Sequence, residues 1–230
     1  MSSLLLSANA SEYGIVKFME YVASQVKKGD VVLDAGAGLC PYRKYFKHTI
    51  YESADNSGKH TIVCDLEHIS VSSCHYDVVI STQVLEHVEY PLKILTEFHR
   101  ILKQNGKLFL TAPQGFGVHS EANYFNFLGR GLGSLFAGAG FKVQFIKPMG
   151  GIFWMMGKYC KVLPWYIFRQ YLNTDGDKVR MTVKALPLAP LFILSVPICC
   201  YIIPWVCFCL DWLDRKKDWT INYACYAVKS

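Results

Sequence analysis

The sequence predicts an α/β protein with a doubly wound, mainly parallel, seven-stranded sheet and a hydrophobic helical insertion before the last strand. Short apolar runs rich in β-branched residues alternate with segments of helical periodicity over the first 147 residues. A final alternating segment, "TINYACYAVK", follows a long apolar stretch. Strands that alternate with helices form βαβ units with parallel strands, and right-handed crossovers place helices on both faces. Ligands of such sheets bind at the carboxyl ends of the strands.

The first half of the chain supplies one helix and four strands. Apolar residues at helical spacing predict a helix over residues 11–28, which ends at Gly29-Asp30. The wholly apolar "VVL" predicts a central strand over 31–33, since a strand buried on both faces needs no polar side. Pro41 opens a helical turn over 41–47. Further strands are predicted over 50–54, 61–64 and 76–81, the last reading "YDVVIS".

The second half supplies two helices and the remaining strands. An amphipathic helix over 90–103 has Pro91 in its first turn, and Asn105-Gly106 is predicted as its C-cap. The strand "KLFLTA" over 107–112 ends at Pro113, a helix over 131–139 closes at Gly140, and a strand follows over 141–146. If the final strand, 220–229, pairs with 141–146, the intervening residues form an insertion between neighbouring strands. We therefore predict a core over 1–147, an apolar helical insertion over 148–218 and a returning strand over 219–230.

Composition and charge limit the function classes. Apolar residues make up 52% and aromatic residues 14% of the chain, enough for a packed core, so a disordered protein is excluded. The net charge of +6 is modest, but its placement favours an anionic membrane surface over a nucleic-acid groove, because many basic residues flank apolar stretches in the last third. These are Lys158, Lys161, Arg169, Lys178, Arg180, Lys184, Arg215, Lys216 and Lys217. A solvated basic surface is the alternative.

The nine cysteines include no CxxC pair, and several lie inside an apolar run, where thiols behave as small hydrophobic groups. We expect a reducing, cytoplasmic compartment, with neither a disulfide framework nor a zinc site. The start of the chain lacks a basic segment before its short leucine run, so no secretory signal is expected.

The stretch "VVLDAGAGLCPYRKYF" contains the principal candidate site. Gly36 and Gly38 follow a strand, where glycine permits a sharp turn and close approach of a ligand. A dinucleotide loop would have a third glycine where this chain has Pro41. Asp34 stands directly before the loop, where a carboxylate repels a pyrophosphate and attracts an ammonium group. The loop therefore indicates a ligand with an amino-acid moiety.

Two further aspartates extend this site along the sheet. Asp55 ends the second strand, where a carboxylate can bind both ribose hydroxyls. Asp65 follows the third strand and can accept a hydrogen bond from an adenine amine. Each aspartate alone is better explained as a loop or N-cap residue. Taken together, a site for an amine, a ribose and an adenine indicates S-adenosylmethionine.

The chain is also similar to the class I S-adenosylmethionine-dependent methyltransferases of the broad type 11 group, which have a Rossmann-like fold. The similarity covers roughly residues 31–146 and rests on "LDAGAG", "CDLEHI", "YDVVISTQVLEHVEYPLKILTEFHRILKQNGKLFLTAP" and "GLGSLFAGAGF". It implies that Asp34, Gly36 and Gly38 cradle the methionine end, that Asp55 holds the ribose and that Asp65-Leu66 flank the adenine. Ser81, Thr82 and Gln83 would lie under the sulfonium. Cys40 departs from the family pattern, since it replaces the last glycine of the loop.

Candidates for the reaction itself come from the segment "GVHSEANYFNFL" after the fifth strand. His119 is the candidate base, with a capping or surface histidine as the alternative. The aromatic side chains of Tyr124 and Phe125 are predicted to line the substrate pocket. His87, part of the family motif "LEHV", is predicted to shape the floor of the pocket. Methyl transfer requires a base only when the acceptor is a hydroxyl or a protonated amine, so a catalytic side chain is not obligatory.

The apolar segment 186–210 has no charge and is long enough to span a bilayer, although four prolines interrupt it. If the last strand returns to the sheet, both flanks lie on one side, which excludes a single pass. We expect a re-entrant or in-plane helical hairpin, with 153–172 as its possible first arm, which binds the cytoplasmic face of a membrane through 186–217. A lid or dimer seam buried by protein is the alternative.

The predicted function is methyl transfer from S-adenosylmethionine to a hydroxyl or carbon of a small or lipid-linked acceptor near a membrane. Nucleic acid is set aside because "STQVLEH" lacks the D/N-P-P-Y/F run of enzymes that methylate base amines. The alternatives are a soluble small-molecule methyltransferase with a dimerisation lid, a non-catalytic cofactor-binding scaffold and, more distantly, an NAD-dependent reductase. The sequence does not predict an oligomeric state.

Overall fold

The computed structural model describes residues 9–115, 117, 122–169, 172–175, 178–181 and 189–230. The chain divides into two compact units. The sheet unit comprises Gly14–Met149 and Ile221–Ser230, and the helical unit comprises Met1–Tyr13 and Gly150–Thr220.

The sheet unit contains the predicted seven-stranded sheet, in the order β3-β2-β1-β4-β5-β9-β6. Its strands are β1 (Val31–Ala35), β2 (Ile50–Asp55), β3 (Ile62–Val63), β4 (Tyr76–Thr82), β5 (Leu102–Pro113), β6 (Phe141–Met149) and β9 (Asn222–Lys229). The strands β1 to β5 pair in parallel, whereas β9 runs antiparallel to both β5 and β6. The predicted mainly parallel sheet, and the pairing of the last strand with 141–146, are confirmed.

Three helices accompany these strands, α1 (Ala10–Gln25), α2 (Pro91–Ile101) and α3 (Gly129–Gly138), with a 3₁₀ turn at Arg43–Tyr45. The expected C-cap at Asn105-Gly106 is wrong, because α2 ends at Ile101 and Leu102 is already extended. Asn105 adopts a φ of +61° within an irregular stretch of β5, where the pairing with β4 jumps from Leu102 to Lys107. The polar pair thus marks a bulge in the strand.

Side chains from both faces of the sheet form the core of this unit. Along β4, Val79 points into one buried cluster and its neighbours Val78 and Ile80 into the other. The first cluster contains Leu95 and Phe98 of α2 with Phe136 of α3, and the second contains Phe18, Met19 and Val22 of α1. Burial on both faces explains why the central strands have continuous apolar runs.

The ends of the strands define one functional edge. β1, β4 and β5 are parallel, so their carboxyl ends, Ala35, Thr82 and Pro113, lie at the same edge. Asn222, the first residue of β9, pairs with both Pro113 and Met149, the last residue of β6. The chain therefore leaves the sheet for the insertion, and returns from it, at this carboxyl edge.

The helical unit contains an antiparallel helical hairpin. Its first arm is α4 (Ile152–Phe168), and its second arm is formed by α5 (Ala189–Pro197), a π-helical turn (Ile198–Ile202) and α6 (Ile203–Leu210). Between them lies a β-hairpin of β7 (Leu172–Asp175) and β8 (Lys178–Met181). The arms pack through Trp154 and Phe208 at one end, with ring centroids 5.2 Å apart, and Phe168 and Phe192 at the other, 4.8 Å apart.

The prolines do not interrupt the second arm, contrary to the expectation from the sequence. A continuous helix runs over Pro190–Leu213, and its length and composition alone would allow it to cross a membrane. The π-helical turn lies between Pro197 and Pro204, where missing N–H groups require local adjustment of the hydrogen-bond ladder. Of the most apolar 18 residues of the helix Pro190–Leu213, only 11% are buried.

Candidate functional site

Asp34, in β1, is a buried carboxylate next to the glycine loop. Only 1% of its surface is exposed, and its Oδ2 accepts a hydrogen bond from the Tyr51 hydroxyl at 2.5 Å. Within the described part of the chain, its Oδ1 is buried without a hydrogen-bond partner. Burial raises the pKa of Asp34 to about 6, although the hydrogen bond from Tyr51 opposes this rise. A cationic group at Oδ1 would stabilise the ionised carboxylate.

The glycine loop follows β1 and is fixed to β2. Gly36 has a φ of +75° and donates its N–H to Ala54 O at 2.8 Å. A Cβ at this position would collide with the side chain of Val84. Gly38, with a φ of +51°, donates its N–H to Asp55 Oδ2 at 2.8 Å. Both positions have a backbone conformation that favours glycine, and Gly36 also lacks space for a Cβ.

Asp55, at the end of β2, is half-buried, and its carboxylate binds the glycine loop. Its Oδ1 accepts the N–H of Asn56 at 2.7 Å, while Oδ2 accepts that of Gly38. Each carboxylate oxygen has a further lone pair. Asp55 is thus an oriented acceptor that can still receive hydrogen bonds from a ligand.

A cleft of about 360 Å³ lies at the carboxyl edge of the sheet. Its lining includes six of the predicted site residues, Gly36, Asp55, Asp65, Leu66, Gln83 and His87. The remaining lining residues are Asn56, Val84, Val88 and Ile94. Acidic acceptors and apolar side chains therefore line one cleft, a composition that suits a nucleoside with a charged end.

The other predicted cofactor residues do not line this cleft. Asp34 is buried, and Gly38 lines a neighbouring cavity of about 500 Å³ that shares Asp55 with the cleft. Ser81 is also buried, and its Oγ donates to Ala35 O at 3.0 Å, which ties β4 to β1. This hydrogen bond gives Ser81 a structural role between the two strands.

Asp65 is exposed, and its Oδ1 accepts the N–H of Glu67 at 2.9 Å, as in an Asx-turn. The following residue, Leu66, is largely buried and contributes to the apolar part of the cleft. The turn after β3 therefore presents one polar and one apolar side chain.

Gln83 follows β4 and is held in a strained conformation with a φ of +56°. Its backbone N–H donates to Thr111 O, and its side-chain Nε2 donates to Thr111 Oγ1, both at 3.1 Å. Two contacts to one residue of β5 fix the Gln83 side chain at the end of the parallel strands.

His87 connects the turn after β4 to the segment after β5. Its Nδ1 donates to Ala122 O at 2.6 Å, and Tyr124 donates its N–H to Glu86 O at 2.8 Å. The side chains of Tyr124 and Phe125 are 54% and 37% exposed and are not part of the cleft lining. His119, the candidate base, lies outside the described residues.

Sequence reasoning missed Tyr51, Asn56, Val84 and Thr111. Tyr51 belongs to a β-strand in which Tyr51, Ser53 and Asp55 alternate on one face, so the pattern of β2 could have indicated it. The contact of Val84 with Gly36 joins loops that follow β1 and β4 and depends on the strand order.

A model of the methyltransferase domain matches residues 33–110, which span β1 to β5. A search of curated protein sequences finds no match. Among solved structures, the chain resembles 1,6-didemethyltoxoflavin-N1-methyltransferase of Burkholderia thailandensis, with 12% identity, a TM-score of 0.57, and coverage of 100% of this chain and 92% of that one.

Phosphoethanolamine N-methyltransferase 2 of Haemonchus contortus, in complex with S-adenosyl-L-methionine, has 16% identity and a TM-score of 0.51 over 89% of this chain and 49% of that one. The [4+2]-cyclase SpnF has 14% identity and a TM-score of 0.57 over 93% and 80%. Such distant likenesses show the fold alone. The domain match and the sheet order bear out the similarity first noted in the glycine loop and the long motif around β4. Residues 33–110 therefore match the methyltransferase domain, and this match together with the shared fold supports an S-adenosylmethionine-dependent methyltransferase with S-adenosylmethionine as its cofactor.

Proposed function

We propose that this methyltransferase modifies a lipid or lipid-linked acceptor at the cytoplasmic surface of a membrane, on a hydroxyl or carbon nucleophile. The observation that carries the proposal is the position of the insertion in the chain. The apolar helical unit is tethered through β6 and β9 to the carboxyl edge of the sheet, the edge that bears the candidate cofactor cleft.

The cofactor residues proposed here follow the geometry of the cleft. Asp55 accepts hydrogen bonds from the ribose hydroxyls, because its oxygens are already oriented by the N–H groups of Gly38 and Asn56. Leu66 and Ile94 provide apolar contacts for the adenine ring. Asp65 takes part in adenine recognition through its free carboxylate oxygen, since the other accepts the N–H of Glu67.

We assign the methionine end of the cofactor to Gly36, Gly38 and Asp34. The Oδ1 of Asp34, which has no hydrogen-bond partner among the described residues, suits the ammonium group. Gln83, with Ser81 and Thr82 behind it, marks the end of the cofactor from which the methyl group leaves. When bound, the cofactor supplies a methyl group on a positively charged sulfur. The chain contributes alignment and exclusion of water, which suffice for much of such a transfer.

The acceptor is proposed to approach along the exposed rings of Tyr124 and Phe125, next to the His87 turn. His87 is fixed through Nδ1, and its Nε2 lies 4.0 Å from Glu86 Oε1. His119 stays a proposed base for a hydroxyl acceptor. No nucleic acid is proposed as a substrate.

The surface of the helical unit supports a membrane partner. Large apolar side chains on both arms are exposed, among them Leu163, Trp165, Leu191, Ile193, Leu194, Tyr201, Ile202 and Trp205. Trp212 and Trp219 are exposed near Arg215 and Lys216, a combination typical of a membrane interface. An apolar surface of this extent requires a covering partner.

The experiment joins vesicle flotation with methyl transfer. We expect the protein to float with vesicles of anionic and zwitterionic phospholipids and to transfer radiolabelled methyl groups into a chloroform-soluble product. Ile193→Glu should reduce the vesicle-bound fraction at least tenfold, since a charge in an apolar helix costs about 3 kcal/mol on insertion. Leu128→Glu, at a similarly exposed position of the sheet unit, is the matched control and should float normally.

Two outcomes would contradict the proposal. A monodisperse dimer in detergent-free buffer, without vesicle binding, would assign the helical unit to a dimer seam and favour the soluble small-molecule enzyme. Cofactor binding without transfer to any extracted lipid or small molecule would favour the non-catalytic scaffold.

A further inference from the structure

We propose that Tyr51 is a positioning residue for the cofactor's amine end, which holds the Asp34 carboxylate so that one oxygen stays available to the ammonium group. This inference rests on the cofactor site proposed above. Its basis is the hydrogen bond from the Tyr51 hydroxyl to Asp34 Oδ2, together with the unpaired, buried Oδ1 of the same carboxylate.

The ring of Tyr51 is fixed by residues of the "PYRKYF" segment. Phe46, itself buried, stacks on Tyr51 with ring centroids 6.2 Å apart, and the guanidinium carbon of Arg43 lies 5.6 Å from the centroid of the Tyr51 ring. The turn after the glycine loop thus supports the tyrosine that contacts the residue before the loop. This gives the segment a function that the cofactor contacts alone do not explain.

The hydroxyl of Tyr51 acts as a permanent donor. Burial and the neighbouring Asp34 carboxylate raise the pKa of Tyr51, so its hydroxyl keeps its proton. A carboxylate that receives a hydrogen bond at one oxygen is fixed in rotation and stabilised in its ionised form. The Asp34 side chain then offers Oδ1 in a fixed direction.

Other titratable groups lie close to the pair formed by Tyr51 and Asp34. His60 lowers the pKa of Asp34 and Asp55 raises it, while Cys40 contributes to the raised pKa of Tyr51. The Sγ of Cys40 also lies 3.9 Å from His60 Nδ1, and this nitrogen lies 3.3 Å from Ser53 Oγ. Tyr51 is the group in this network that donates directly to Asp34.

The test compares two ligands that differ in the amine end. S-adenosylhomocysteine carries the ammonium group without a charged sulfur, and 5′-methylthioadenosine retains adenine, ribose and thioether without the amino-acid moiety. Their affinities are measured by calorimetry between pH 5.5 and 8.5 for the wild type and Tyr51→Phe. Loss of the hydrogen bond that stabilises the ionised Asp34 carboxylate should move the pH midpoint of S-adenosylhomocysteine binding upward by about one unit, a tenfold change in the proton affinity of Asp34.

The predicted result is specific to ligand and pH. Tyr51→Phe should weaken S-adenosylhomocysteine about tenfold near pH 6, less at pH 8.5, and leave 5′-methylthioadenosine unchanged. Tyr76→Phe is the matched control, because it removes a similar hydrogen bond, from Tyr76 to Glu52 Oε2 at 2.6 Å, without touching Asp34. This control should leave the midpoint unchanged.

Equal weakening of both ligands at every pH, or an unchanged midpoint in Tyr51→Phe, would overturn the proposal. If Tyr51→Phe does not fold, 3-fluorotyrosine at position 51 provides the second test. Its more acidic hydroxyl is a stronger donor and should move the midpoint downward, and an unchanged midpoint would again overturn the proposal. Failure of the wild type to bind either ligand would instead refute the proposed cofactor site.

Discussion

At the scale of single residues, the candidate site depends on a few residues whose burial or backbone conformation is energetically unfavourable. Asp34 is a buried acid, and Gly36, Gly38 and Gln83 have positive φ values. The sequence indicated Asp34 and the glycines, because their types and spacing are restricted by chemistry. It did not indicate Tyr51, since the contact depends on the register that sets Val32 beside Tyr51 in neighbouring strands. Residue type can be predicted from local pattern, whereas this pairing is set by tertiary structure.

The pKa of Asp34 predicts a pH dependence of stability. A carboxyl group whose pKa rises from 3.8 in the unfolded chain to about 6 in the folded protein binds its proton more tightly when folded. Stability should therefore fall as the pH rises from 4 to 7, by about 3 kcal/mol relative to Asp34→Asn, which lacks this titration. Urea unfolding of both proteins across this range measures the difference. A constant difference would show that Asp34 is not a buried titrating acid.

The glycine loop predicts a steric effect. Gly36→Ala introduces a Cβ into the side chain of Val84 at a positive φ, so it should destabilise the protein by about 1–3 kcal/mol and weaken S-adenosylmethionine at least tenfold. Gly131→Ala is the control, because its added Cβ meets no atom and its φ is not positive. Thermal melting and calorimetric titration test both variants. Normal cofactor affinity in Gly36→Ala would exclude this close approach.

At the scale of elements, the spacing of hydrophobic residues along the chain predicted the strands and helices of the sheet unit well. The helical unit was predicted less well, since prolines suggested breaks in a segment that forms one continuous helix. Local propensity disfavours proline in a helix, but the π-helical turn and the packing of Gly157 close to Pro204 and Cys207 accommodate it. Packing between the arms therefore overrides a local preference.

The start of α4 depends on two carboxylates from the end of the insertion. Asp211 Oδ1 accepts the N–H of Gly151, and Asp214 Oδ2 that of Ile152, both at 2.8 Å. Asp211 also pairs with Lys217 at 2.5 Å. These contacts satisfy N–H groups of the first helical turn and close the base of the hairpin.

Asp211→Ala should therefore destabilise the helical unit by about 1–2 kcal/mol, because it removes a cap and leaves Lys217 without this partner. Hydrogen exchange should show faster exchange in α4, with unchanged exchange in β1 and β4. Asp218→Ala, at an exposed position of the same segment, serves as the control. Uniformly faster exchange across both units would contradict a local capping role.

At the scale of the whole molecule, the sheet edge that bears the candidate cofactor cleft is also the edge at which the chain leaves for the apolar unit and returns from it. The mainly parallel sheet and the pairing of the last strand with 141–146 could be predicted from the order of the motifs along the chain, whereas the order of the strands and the antiparallel direction of the last one come from the structure. The partner of the apolar surface could not be predicted from the sequence, since exposed hydrophobic residues suit a bilayer and a second protein alike. The acceptor is unpredictable for a similar reason, because methyl transfer by alignment requires few specific side chains.

The most direct test of the account is calorimetric titration of the full chain with S-adenosylmethionine, repeated on Asp55→Ala. Asp55 is the residue that both orients the glycine loop and lines the cleft. We predict one micromolar site in the wild type and a loss of at least tenfold in affinity in Asp55→Ala, whereas Asp30→Ala, which removes a carboxylate from the turn before β1, binds normally. A folded wild type that does not bind, or an Asp55→Ala variant that binds equally well, would contradict the proposed cofactor site.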